Sequence, residues 1–169
     1  IINSFILLEK YISICNFWFY VCKIIEKLIE SISFTLYKYA NDTIIAIEHP
    51  YVQGAAIRQI IEDVANQTIW IGTEGNGVVS LKNGKEWSQY TQANGLPSNR
   101  VPALCLDSSG KIWAGAYGGI AVLYDKTFIQ HPNTSSIQAN QVISDDYQNI
   151  WIASSRGIFR IDIKTAAVE

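Results

Sequence analysis

Methionine is missing from this chain of 169 residues, while histidine (two), cysteine (three) and proline (four) are scarce. Charged residues are few as well, at 17% against 49% apolar. Each shortage excludes something. Without methionine the chain reads as a fragment or a processed product, whose ends neighbouring sequence would have covered. The cysteines, Cys15, Cys22 and Cys105, include no Cys-x-x-Cys pair and read as small apolar packers. His49 and His131 each precede a proline and have no zinc spacing, and no serine lies in Gly-x-Ser-x-Gly. No nucleophile–base pair is visible, so no catalytic residue, metal or cofactor is expected in this segment. A net charge of −2 supplies no broad basic surface, which argues against nucleic acid as a partner.

A long apolar run is also lacking. Glu9 and Lys10 interrupt the stretch from Ile1 to Cys22, and the uncharged remainder falls short of the roughly 20 residues a spanning helix needs. A secretory leader would show a positive start and a small-residue cleavage site, and neither is seen. Residues 1–39 contain no glycine or proline, and Ile14, Phe17, Val21, Ile24, Ile25, Leu28, Ile29 and Ile32 follow a 3-4 spacing. Lys23, Glu26, Lys27 and Glu30 take the opposite face. This predicts an N-terminal amphipathic helical segment, with the helix over residues 11–33. It is read as packed against the next domain or lying at an interface. A truncated anchor that associates with a membrane is the alternative.

From Ile44 onward glycine, asparagine, aspartate, serine and proline punctuate short apolar runs, the signature of many short strands. Those runs repeat. Ile69-Trp70-Ile71-Gly72 returns as Ile112-Trp113-Ala114-Gly115 and as Ile150-Trp151-Ile152-Ala153, with the indoles 43 and 38 residues apart. An acidic turn precedes each tryptophan (Asp63, Asp107, and Asp145 or Asp146), and a glycine follows it (Gly77, Gly119, Gly157). A period near 40 residues with about four short strands per unit predicts a β-propeller rather than a sandwich, which needs no fixed period. The fold expected is mainly β: a partial propeller of about three four-stranded blades at 52–93, 94–134 and 135–163, within a domain at 40–169, after a helical segment at 1–39.

Within the unit, Trp70, Trp113 and Trp151 recur at one position, so a single packing role between blades explains all three, each N–H finding a carbonyl. Such a side chain buries ~150–250 Å². Gly72, Gly115 and Ala153 would relieve crowding. The aspartates are turn formers and lack the alternating oxygen ligands of a calcium loop. If a ligand is bound, loops on the rigid scaffold would hold it. Arg100, Tyr117 and Arg156, in corresponding loops of different blades, are the candidate binding residues.

The run Asn94-Gly95-Leu96-Pro97-Ser98-Asn99-x-Val101, followed by Leu106-Asp107-x-x-Gly110-x-Ile112-Trp113-x-Gly115, resembles the two-component regulator propeller repeat. The last copy departs from it, having no Gly-Leu-Pro and carrying Ala153 where glycine stands elsewhere. The resemblance implies the sensor region of a bacterial hybrid histidine kinase or a related receptor, on the periplasmic or extracellular face of the inner membrane. The kinase or diguanylate cyclase module would lie elsewhere. It also implies an oligosaccharide or other small ligand, with the remaining blades as partners from outside this chain. Two other readings stand beside it, a protein-interaction platform and a fragment of a propeller lyase or hydrolase.

Overall fold

The computed structural model describes residues 20–25, 33–40 and 43–169. The chain divides into two units, residues 1–54 and 55–169. The first holds a three-stranded antiparallel sheet of β1 (Tyr20–Ile25), β2 (Ser33–Ala40) and β3 (Thr43–Ile47). Cys22 faces Leu36 in the register of β1 and β2, and Leu36 faces Ile47 across β2 and β3.

This sheet corrects the helical expectation where the two overlap. Residues 20–25 and Ser33 are strand, and the rest of the expected helix, 11–19 and 26–32, lies outside the described residues. The physical reason is visible in the segment Tyr-Val-Cys-Lys-Ile-Ile. β-branched and aromatic residues suit a pleated strand, and a short apolar run fits either period until a partner strand decides.

The second unit contains three antiparallel sheets in consecutive meanders. The first is β4 (Ala56–Asp63), β5 (Thr68–Glu74), β6 (Val78–Lys82) and β7 (Glu86–Tyr90). The second is β8 (Ala103–Leu106), β9 (Ile112–Ala116), β10 (Gly119–Tyr124) and β11 (Thr127–Gln130). The third is β12 (Ala139–Ser144), β13 (Asn149–Ser154) and β14 (Gly157–Asp162). It has three strands rather than four, but the segment after β14 turns back to it. Val168 bridges Ile161, and Arg160 and Glu169 exchange backbone hydrogen bonds of 2.8 and 2.9 Å.

The sheets stack through alternate residues of their strands. Trp70, Val78 and Leu96 from the first sheet side meet Leu104, Ile112, Ala114 and Phe128 of the second. Trp113, Cys105, Ile120 and Val122 of the second meet Val142, Ile150, Ile152 and Ile161 of the third. β9 therefore has both faces covered and is buried throughout, whereas β13 alternates between buried and solvent-facing residues. The register places Trp151 beside Ile143 and Arg160, and Ala153 beside Ile158. Those positions correspond to the face that carries Trp113 and Ile120 in the second sheet, yet Trp151 is 37% exposed and Ile158 74%.

Close stacking explains the glycines two residues past the indole. A Cβ on Gly115 would lie 2.6 Å from Val142 Cγ2 and 2.7 Å from Ala139 Cβ. Ala153 keeps its methyl because that side of β13 is open to solvent.

Two of the acidic turns do more than reverse the chain. Asp107 Oδ1 accepts from the backbone N–H groups of Ser109 and Lys111, at 2.8 and 3.0 Å, and its Oδ2 accepts from Trp113 Nε1 at 2.8 Å. Asp145 repeats the arrangement with Tyr147, Asn149 and Trp151. Two of the indole N–H groups thus bond a carboxylate, not the carbonyl expected from sequence. Burial alone would raise the Asp107 carboxyl, but the bonds from Ser109, Trp113 and Lys111 hold it below the ordinary carboxylate range. Asp145 is pulled down to about 2, chiefly by Trp151.

Candidate functional site

The innermost strands β4, β8 and β12 lie side by side, and β4 and β12 both carry a bulge. On β4 the ladder with β5 jumps from Ile57 to Gln59, which leaves Arg58 unpaired. On β12 it jumps from Ala139 to Gln141, which leaves Asn140 unpaired. The three sheets align through Gln59↔Gly72, Ala103↔Gly115 and Gln141↔Ala153, so Pro102 holds the same place in the second repeat. Proline has no N–H to give a ladder, so it reaches by chemistry what the other two reach by a bulge. A bulge re-aims a side chain, and here the three equivalent residues converge. Arg58, Pro102 and Asn140, with Ile57 and Tyr117, line an open depression of about 290 Å³.

Its electrostatics centre on Glu74, at the end of β5. Glu74 Oε2 lies 3.2 Å from Arg58 Nε, and its Oε1 accepts from Arg100 Nε at 2.5 Å. The Arg100 guanidinium carbon in turn sits 5.1 Å from the centroid of the Tyr117 ring, a cation–π distance. One carboxylate therefore steadies two arginines, and the second arginine covers the tyrosine.

The connection between the first two sheets explains why Arg100 arrives there. Gln92–Asn94 forms a 3-10 turn capped by Thr91, and Gly95 ends it with a positive φ of 88°. A side chain at Gly95 would collide with the Phe128 carbonyl oxygen, so the position needs glycine for both conformation and space. Leu96 is buried in the core between the sheets. The Asn99 carbonyl then accepts from the backbone N–H groups of Gly75 and Gly77, at 3.0 and 2.8 Å. Val101 N–H bonds Thr73 O at 2.8 Å, and Glu74 bridges Arg100. The next joint repeats the bridge between Tyr117 and Gln138. The Asn-Gly-Leu-Pro-Ser-Asn segment is thus a clasp that fixes one sheet against the next and presents Arg100 to Glu74 and Tyr117.

Of the three binding residues named from sequence, Arg100 and Tyr117 are brought together, and Tyr117 lines the depression. Arg156 lies apart from it: its Nη1 is 3.4 Å from Ser136 O, and its N–H bonds Ser154 Oγ. Sequence reasoning missed Arg58, Glu74, Pro102 and Asn140. A signal existed, since Arg58 stands twelve residues before Trp70, while Pro102 and Asn140 stand eleven before Trp113 and Trp151. The first acidic turn is one residue longer, which accounts for the offset. The anchors Trp70 and Trp113 are buried between sheets, and Gly77 lies against the Tyr90 carbonyl. Gly119 meets the Gln130 side chain, while Gly157 has open space around it. His131 is buried with Nδ1 3.0 Å from the Pro132 carbonyl, away from any acid–base partner among the described residues.

Comparison with known proteins places this geometry. The family model described as the two component regulator propeller matches residues 95–118, the clasp and the start of the second sheet. Histidine kinase P4 of Formosa agariphila is 25% identical, with 57% of this chain and 11% of that protein covered. Among solved structures, the extracellular domain of a putative one component system from B. thetaiotaomicron matches with a TM-score of 0.66 and 19% identity. The match covers 81% of this chain and 19% of that one. The extracellular domain of a putative hybrid two component system from the same organism gives 0.65 and 22%, covering 81% and 21%. The chain therefore spans about a tenth of the curated relative and about a fifth of these structures. Residues 95–118 carry the two-component regulator propeller repeat, within a run of antiparallel sheets whose fold is similar to that of these extracellular domains.

Proposed function

We propose that this chain is a ligand-sensing stretch of a propeller in a bacterial signal-transduction receptor, and that it binds and transmits rather than catalyses. The observation that carries the reading is the column of Arg58, Pro102 and Asn140. Three repeats independently turn the same position of the innermost strand into one depression. Packing alone gives no reason for aiming an arginine and an asparagine there. The extracellular origin of the solved relatives supports a periplasmic or extracellular location, and the histidine kinase relative supports a kinase or cyclase output carried elsewhere. A ligand would act by preferring one of two arrangements of the propeller, since only differential affinity moves such an equilibrium.

The test is thermal unfolding of the chain against a panel of neutral and charged oligosaccharides. A rise in melting temperature with at least one glycan, lost in Asn140→Ala, is the expected result. No shift across the panel would remove the sensing reading.

The remaining propeller sheets are the partners proposed for the outer face of the third sheet. Ile143, Trp151 and Ile158 are exposed there, whereas the corresponding face of the second sheet is covered by the third. A further sheet of the same repeat would continue an interface that this chain already forms twice.

A further inference from the structure

Resting on the sensing reading of this depression, we infer that it selects a ligand carrying a carboxylate beside an apolar ring face, the chemistry of a uronic acid. The charge balance is the first reason. Arg58 and Arg100 share the single carboxylate of Glu74, so the cluster keeps an uncompensated positive charge.

The geometry is the second. Glu74 Oε1 accepts from Arg100 Nε, while its buried Oε2 faces Arg58 Nε at 3.2 Å as a charge pair without a hydrogen bond, and the terminal nitrogens of both guanidinium groups have no hydrogen-bond partner among the described residues. A planar fork with two free N–H edges is the natural partner of a carboxylate, and Glu74 already holds the Arg100 fork by a hydrogen bond and the Arg58 fork by charge. Restraint before binding lowers the entropy that a ligand would otherwise lose in ordering them.

The walls supply the rest. Pro102 and Ile57 are apolar, and the Tyr117 ring is a flat surface on which the C–H face of a sugar can rest. Asn140, solvent-facing on its bulge, offers both a donor and an acceptor to hydroxyl groups. A phosphate or sulfate would satisfy the arginines but leave the ring and the amide unused. A neutral sugar would use the ring and the amide but leave the charge unanswered.

The experiment is calorimetric titration of the whole chain with three probes: methyl glucuronoside, methyl glucoside and inorganic sulfate. Arg58→Gln, Tyr117→Ala and Arg156→Gln are compared with the parent, and circular dichroism checks each fold. The glucuronoside is expected to bind about tenfold or more tightly than the glucoside, in a salt-sensitive manner. Arg58→Gln should abolish that preference without abolishing weak glucoside binding. Tyr117→Ala should weaken both sugars, and Arg156→Gln should change neither.

Equal binding of the two glycosides would overturn the carboxylate preference and leave the sensing reading intact. Sulfate binding as tightly as the glucuronoside would overturn the sugar component. Failure of all three probes would overturn the inference, and the neutral members of the oligosaccharide panel would then decide the sensing reading separately. Should Arg58→Gln not fold, Arg100→Gln carries the same test from the other side of Glu74.

Discussion

At the scale of single residues, the most consequential contact is the one between the turn aspartate and the indole of the strand that follows it. Asp107 and Asp145 each precede their tryptophan by six residues, and both carboxylates reach the Nε1 proton at 2.8 Å. Asp63 precedes Trp70 by seven. The extra residue lets Asn66 take the Asp63 carboxylate instead, at 3.0 Å from its backbone and 2.7 Å from its amide. Trp70 Nε1 is consequently buried without a hydrogen-bond partner. An orphaned buried donor costs about 1–3 kcal/mol. Asp107→Ala, which creates such an orphan at Trp113, is therefore expected to lower stability by about 1–3 kcal/mol in urea unfolding. Asp63→Ala should cost less, because no indole depends on it.

Acid should act through the same groups. Folding depresses the carboxyls of Asp107 and Asp145, so the folded state binds their protons less readily than the unfolded state does. Their contribution is complete above the unfolded value of about 3.9. It is lost as pH falls from there through the folded value, about 2 for Asp145. The urea midpoint should hold steady at neutral pH and fall between about pH 4 and 2, and Asp107→Ala should blunt that fall.

At the scale of elements, the spacing between sheets is set by small residues on the second strand of each repeat. Gly115→Ala would push a methyl into Val142 and Ala139, neither of which can retreat from the core between the second and third sheets. Overpacking of this kind costs about 1–3 kcal/mol, so a clear loss of melting temperature is expected. Ala153→Gly, on an open face, should cost only the intrinsic penalty of glycine in a strand, under about 1 kcal/mol. If the two substitutions proved equally costly, close stacking would not be the reason for Gly115.

Element boundaries were legible in the second unit because turn chemistry announces them. Asp107 to Gly110 and Asn83-Gly84 mark reversals whatever the tertiary context. The same reasoning failed at Tyr20–Ile25. There, apolar residues at helical spacing met no turn signal, and pairing with β2 decided the matter. Among the described residues no helix is long and apolar enough to cross a membrane.

At the scale of the whole molecule, the second unit is a series of packed sheets whose third member exposes its outer face. Ile143, Trp151 and Ile158 form an apolar strip beside Arg160 on the outer side of the third sheet. Contiguous apolar surface of this kind marks an interaction site. Isolated from further sheets, the chain is expected to self-associate in a concentration-dependent way on size-exclusion chromatography with light scattering. Ile158→Lys should shift it toward monomer without lowering its melting temperature. A parent chain that runs as a clean monomer at every concentration would remove the proposed interface.

The sequence by itself determined the period, the turns and the recurring indole position, because these depend on local chemistry repeated at fixed spacing, whereas Trp151 is left exposed where no further sheet covers it. It also showed the clasp motif, and it named Arg100, Tyr117 and Arg156 as candidates, of which the structure brings the first two together. Only the tertiary structure decided that Arg58, Pro102 and Asn140 share one depression and that Glu74 links Arg58 to Arg100. A bulge is a property of paired strands, and an ion pair across 26 residues, as between Glu74 and Arg100, exists only once sheets have stacked. Neither can be read from a chain whose inner strands have not yet met.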